Sequence, residues 1–102
     1  MTAPVNRLKK ALLTGKQTVG CWLTLGDDYA AEITARAGFD WCLIDREHAL
    51  NVVRSTLAQL QAIATTPTNV VVRPAVGDPH LLKQLLDIGS QSFVVPMVES
   101  AA

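Results

Sequence analysis

Two runs in this chain of 102 residues, Trp41-Cys42-Leu43-Ile44 and Val70-Val71-Val72, are apolar without interruption. A strand buried on one face alternates apolar and polar residues, whereas a continuous apolar run belongs to a strand covered on both faces, as in a parallel sheet flanked by helices. Between the runs, Val53, Leu57, Leu60 and Ile63 recur at spacings of four, three and three, the stripe of an amphipathic helix. Strand, helix and strand in that order form a crossover long enough to return the chain in parallel with a right-handed connection.

The rest of the chain repeats this scheme. Residues 6–14 set Leu8, Ala11, Leu12 and Leu13 on one side with Gly15 as a stop, predicting a lead-in helix. A strand over 18–25 follows. Gly26-Asp27-Asp28 then turns the chain and offers an N-cap to a helix carrying Ala30, Ile33 and Ala37, which ends at Gly38. The second strand spans 40–44, and the third, 70–73, is stopped by Pro74. Asp78-Pro79 supplies an N-cap and a proline at the first helical position; Leu81, Leu82, Leu85 and Leu86 are expected in the core, with Gly89 as the stop. A fourth strand is predicted over 91–98.

Four strands alternating with three complete helices give the class α/β with parallel strands, one domain over 1–102. Ser100 stands where the cap of a fourth helix belongs. A barrel of eight such units takes roughly 250 residues, so the expectation is about four βα units, the N-terminal half of a (β/α)8 TIM barrel, with the C-terminal half absent. A four-stranded sheet alone carries two open edges. A non-catalytic α/β interaction module is therefore the alternative to an incomplete enzyme.

Nine Lys and Arg balance nine Asp and Glu, and only five residues are Phe, Trp or Tyr, so no basic, aromatic-rich field exists to hold nucleic acid. The longest apolar runs fall far short of a membrane span, and the N-terminus lacks an apolar signal core. The expected location is cytoplasmic. Cys21 and Cys42 fall in predicted strands without a Cys-x-x-Cys pair and read as buried, reduced thiols; the alternative is a disulfide between them if the two strands are neighbours, against which a cytoplasmic location argues. No glycine-rich phosphate loop follows any strand, which disfavours a nucleotide cofactor.

In a parallel α/β sheet, ligands collect where strand C-termini and helix N-termini converge. That rim holds Trp22 on the first strand, Asp45, Glu47 and His48 after the second, Arg73 closing the third, and Met97 with Glu99 on the fourth. Asp45 and His48 are spaced so that a carboxylate orients an imidazole, a proton-transfer dyad; the alternative is a capped turn beside a solvated histidine. Arg73 offers a planar fork suited to a carboxylate, or else a structural ion pair. Trp22 is pocket wall or core. His80, in the first turn of a helix, is assigned no role.

The segments Val19-Gly20-Cys21-Trp22-Leu23, Ala37-Gly38-Phe39-Asp40-Trp41, Ile44-Asp45-Arg46-Glu47-His48-Ala49, Val71-Val72-Arg73-Pro74, Lys83-Gln84-Leu85-Leu86-Asp87-Ile88-Gly89 and Val94-Val95-Pro96-Met97-Val98 together resemble the HpcH/HpaI aldolase/citrate lyase family, the metal-dependent class II pyruvate aldolases, with members acting on 4-hydroxy-2-oxoheptanedioate as the nearest type. The resemblance implies reversible cleavage of a 4-hydroxy-2-oxo acid to pyruvate and an aldehyde; sugar-acid aldolases share the same early motifs. It assigns His48 as the base assisted by Asp45, Arg73 as the holder of the pyruvate moiety, and Trp22 as pocket lining. It also implies a divalent metal (Mg, Mn or Co) stabilising the enolate, ligands for that metal beyond Ala102, and a homo-oligomer when complete. One departure stands out: Arg46 occupies a position where the family usually has glycine.

Overall fold

A computed structural model describes residues 4–101. Its elements are α1 (Arg7–Leu13), β1 (Gly20–Leu23), α2 (Asp28–Ala35), β2 (Trp41–Asp45), α3 (Val53–Ile63), β3 (Asn69–Arg73), α4 (Pro79–Asp87) and β4 (Ser92–Phe93). The four strands form one parallel sheet in the order β1-β2-β3-β4. Chain order equals spatial order, as expected of one wall of a barrel.

The strand period of two explains why β2 and β3 are apolar throughout. Cys42 and Ile44 point to one side with Val72, where they meet Leu23, Ala31, Ala35, Ile63 and Leu85 beneath the helices. Leu43 points the other way and packs with Val71 and Leu8 of the lead-in helix, against Trp41. The register aligns Trp22 with Leu43, Ile44 with Val72, and Asp45 with Arg73. Ladder pairing alone thus brings the last residues of β2 and β3 side by side.

The caps read at Asp27 and Asp78 act as expected, Asp27 on α2 and Asp78 on α4 with Pro79 in its first turn; the structure adds a cap at Asn6, whose side chain accepts from the Lys9 N–H. Gly20 is needed for space, because a Cβ there would sit 2.0 Å from the Trp41 ring. Gly26, at φ 69°, lies against the chain at Leu50, where a Cβ would meet the carbonyl oxygen at 2.4 Å. The loops after β1 and β2 are therefore in close contact.

Several expectations are corrected. The fourth strand is only Ser92–Phe93, extended by the Val94 N–H donating to the Val72 carbonyl. Pro96 has no N–H to pair, and Met97 takes a left-handed φ of 55°; Met97 and Glu99 lie exposed beyond the strand rather than on its rim. On α2 the buried residues are Ala31 and Ala35, while Ile33 and Ala37 are exposed, since small side chains let the helix approach its neighbours closely. On α3, Thr56, Gln59 and Ile63 are buried; Val53, Leu57 and Leu60 are only partly covered. Leu12, Leu13 and Leu86 are exposed. Cys42 is buried, but Cys21 only partly, and both are free.

Leu12, Leu13, Trp22, Trp41, Leu43, Val71 and neighbouring residues line a largely apolar concavity of about 630 Å³ on the sheet face away from α2, α3 and α4. Among the described residues no helix is long and apolar enough to cross a membrane.

Candidate active site

The strongest local cause in the site is the register pair Asp45 and Arg73. Asp45 ends β2 and its side chain is 2% exposed. Burial of a carboxylate is costly unless its oxygens are satisfied, and here they are. Oδ1 accepts from Arg73 Nε at 3.0 Å and from the backbone N–H groups of Glu47 and His48 at 2.9 and 3.2 Å. Oδ2 accepts from Arg73 Nη2 and from Trp22 Nε1 at 3.3 Å. The fork of Arg73 foremost, then the two backbone donors and the Trp22 indole, outweigh burial and hold Asp45 well below the usual carboxylate range. Asp45 is thus a fixed negative charge, not a proton carrier near neutrality.

Arg73 is held the same way from the other side. Asp45 and, more weakly, Glu47 raise its pKa against the opposing effect of burial. The guanidinium carbon stands 5.4 Å from the centroid of the Trp22 ring, within cation–π range. Trp22 also meets Trp41 edge to face at 6.4 Å. Three strands therefore contribute one cluster: Trp22 from β1, Asp45 from β2 and Arg73 from β3; Arg73 does form a structural ion pair, whereas Trp22, 46% exposed, is not a core residue.

The imidazole of His48 is arranged differently from the expected dyad. Asp45 grips the backbone N–H of His48, while His48 Nε2 lies 3.1 Å from Glu47 Oε1. The ring is well exposed, at 73%. Asp45 shapes the turn that presents His48, and the side chain facing the imidazole is Glu47. His80 is exposed on α4, away from the cluster.

The turn from Asp45 to α3 is secured by groups that sequence inspection passed over. Asn51 is buried; its Nδ2 donates to the Asp45 carbonyl at 2.6 Å, and its Oδ1 accepts from Gln59 Nε2 at 2.6 Å and Ser55 Oγ at 3.3 Å. Ser55 Oγ also accepts from the Val52 N–H. Residues 51, 55 and 59 recur every four positions, the signal that could have revealed this polar spine. Arg46, where glycine is usual in the resembled family, needs no positive φ, because Met97 is the one described non-glycine residue with that conformation. Its backbone N–H donates to the Arg73 carbonyl at 2.9 Å. The Nε and Nη1 atoms are buried with no hydrogen-bond partner, and burial lowers the guanidinium's pKa.

Among the described residues, no group of three or more His, Cys, Asp or Glu is placed to hold a metal ion. Asp45 is already saturated by donors, so the cluster is not by itself a metal centre. The apolar concavity on the inner sheet face shares Trp22 alone with the charged cluster. It is the uncovered inner wall of the sheet, not the place where the charged groups converge.

Comparison with known proteins gives a consistent picture. The family model for HpcH/HpaI aldolase/citrate lyase matches residues 18–102. The chain is 57% identical over all 102 residues to a hydroxypyruvate/pyruvate aldolase of Pseudomonas aeruginosa, covering 38% of that protein. It is 54% identical over 96 residues to a 4-hydroxy-2-oxo-heptane-1,7-dioate aldolase of Escherichia coli, covering 94% of this chain and 37% of that one. Among solved structures, an HpcH/HpaI aldolase/citrate lyase family protein from Burkholderia cenocepacia superposes with a TM-score of 0.89 at 42% identity, over 94% of this chain and 38% of that one. The chain thus spans little more than a third of these relatives, rather than the half expected from its four strands.

Proposed function

The chain belongs to the HpcH/HpaI aldolase/citrate lyase family, and on that premise we propose that it supplies the 2-oxo-acid-binding and proton-transfer residues of a metal-dependent pyruvate aldolase, as the N-terminal part of the barrel. The observation that carries this reading is the charged cluster at the ends of β1, β2 and β3. Asp45 occupies the Nε–Nη2 edge of Arg73, Glu47 Oε1 stands 3.3 Å from Nη1 without a hydrogen bond, and the carboxylate of the 2-oxo acid is assigned to the Nη hydrogens that these two leave unbonded. Trp22 forms the wall beside it.

In the cleavage direction the base removes the proton from the 4-hydroxyl, the C3–C4 bond breaks, and its electron pair enters the C2–C3 enolate as C4 becomes the aldehyde carbon. His48 is the group assigned to that proton, because imidazole is an effective general base and Asp45, one of the two acids at the turn, is locked in its charged form. Charge building on the 2-oxo oxygen calls for a Lewis acid. Mg, Mn or Co is the expected ion, with its carboxylate ligands drawn from outside these residues. One relative is named for hydroxypyruvate and pyruvate, and C3–C4 cleavage of a 4-hydroxy-2-oxo acid such as the one that names the other yields a pyruvate fragment, so the proposed donor class is pyruvate or hydroxypyruvate; a sugar-acid substrate shares the same first steps. A homo-oligomer and a cytoplasmic setting go with this reading.

The test is deuterium exchange into the methyl group of pyruvate, with and without divalent metal. It uses residues 1–102 joined to the remaining C-terminal part of the Pseudomonas aeruginosa relative, because identity with that protein runs over the whole chain. Metal-dependent exchange lost on His48→Ala and on Arg73→Ala supports the reading, and exchange indifferent to both overturns it. The 102-residue chain alone is expected to be inactive. A second reading, a non-catalytic interaction module, rests on the uncovered apolar face; a stoichiometric protein complex with no pyruvate chemistry would favour it.

A further inference from the structure

The outer strands of the sheet, β1 and β4, each pair on one side only, and all four strands run parallel. A closed barrel of this type has eight. Among the described residues, the face turned away from α2, α3 and α4 carries only α1, seated through Leu8 against Leu43 and Val71. Leu12, Leu13, Trp22 and Val94 on that face are between 44% and 78% exposed. The area involved is large for so small a chain. It exposes 6725 Å², whereas a self-contained protein of its 11.0 kDa exposes about 5,600 Å². The surplus of roughly 1,100 Å² exceeds the ~800 Å² that each partner gives to a standard stable interface.

We propose that this face is an interface between two copies of the chain, which together close an eight-stranded barrel about a twofold axis. Half a turn about the axis of the concavity sets β4 of each copy beside β1 of the other, parallel as within the sheet. One operation thus covers both open edges. The two apolar walls face each other, and Leu12 and Leu13 of each α1 enter the core between them. A formal net charge of zero leaves no overall repulsion between the copies. The inference rests on the barrel architecture of the reading above and not on its chemistry.

The test is sedimentation velocity of the 102-residue chain from about 1 to 100 μM, the range in which many interfaces of this size associate. A single species of twice the 11.0 kDa chain mass is expected. Both tryptophans of the chain line the proposed interface, so their quenching by acrylamide should fall as the dimer forms. Leu12 and Leu13 are exposed in the single chain, and the double variant Leu12→Glu, Leu13→Glu should keep its circular dichroism while raising the dimer Kd about a hundredfold or more. Ile33→Glu, equally exposed but on α2 and off this face, should leave the dimer intact. A monomer throughout, open-ended aggregation, quenching indifferent to concentration, or equal loss of the dimer in both variants overturns the proposal. So does a chain that is monomeric alone and binds only the C-terminal part of the Pseudomonas aeruginosa relative, since the face then belongs to one longer barrel. A monomeric chain leaves the aldolase reading standing, and a chimera without exchange chemistry leaves the dimer standing.

Discussion

Replacing Asp45 by asparagine changes almost no volume and exposes how much the site contributes to the fold. The carboxylate accepts five hydrogen bonds, three at Oδ1 and two at Oδ2. Asparagine keeps one oxygen and places an NH2 group where Oδ2 stood, facing the donors of Arg73 and Trp22. Two donors lose their acceptor and a charge-assisted pair is broken, which at ordinary hydrogen-bond values amounts to about 3 kcal/mol. For a domain of this size that is a fall in Tm of roughly 15 °C, readable by circular dichroism. The pH dependence is fixed in sign. Asp45 in the folded chain titrates well below its ordinary value of 3.8, so its contribution is fully present above that ordinary value and is lost as pH falls through the folded one. The gap in stability between wild type and Asp45→Asn should be level from about pH 5 to 8 and narrow below about pH 4. A fall in Tm under about 3 °C, or a gap that widens in acid, would refute the claim that buried donors converge on this carboxylate.

Other outcomes follow from the same geometry. Leu85 is fully buried beneath α4, so Leu85→Ala should cost about 2–5 kcal/mol in urea denaturation. Arg46→Met removes a guanidinium with unpartnered buried nitrogens and should leave stability unchanged or raise it by about 1 kcal/mol; a loss of that size would mean the side chain has a partner. The Cys42 thiol is buried and pushed up to about 11 by that burial and by neighbouring Cys21. At neutral pH it should resist iodoacetamide until the chain unfolds, with mass spectrometry finding the native label on Cys21.

The strands were legible because β2 and β3 are apolar on both faces, one packed beneath the helices and the other against Leu8 and the apolar concavity, which leaves short continuous apolar runs between turn signals. The helix faces were less so. Hydrophobicity pointed rightly to Ile63 on α3 but also to Ile33 on α2 and Leu57 on α3, whereas the other buried residues are Ala31, Ala35, Thr56 and Gln59. Close helix packing selects small side chains, and a buried glutamine is tolerated once Asn51 satisfies its amide. β4 was overestimated because Val94, Val95 and Val98 look like strand, whereas pairing along an edge ends where Pro96 withholds its N–H.

By itself, the sequence determined the alternation of strand and helix, the caps at Asp27 and Asp78, and the presence of acid, base and cation at strand ends, since these depend on residues close along the chain. Only the tertiary structure decided who faces whom. Asp45 and Arg73 are 28 positions apart and meet through the parallel register. Trp22 joins them from a third strand, and Glu47 rather than Asp45 faces the imidazole of His48. A carboxylate has two oxygens, and its side-chain donors come from the two flanking strands, β1 and β3, so those partners are set by where the sheet places the strands, which no local pattern records.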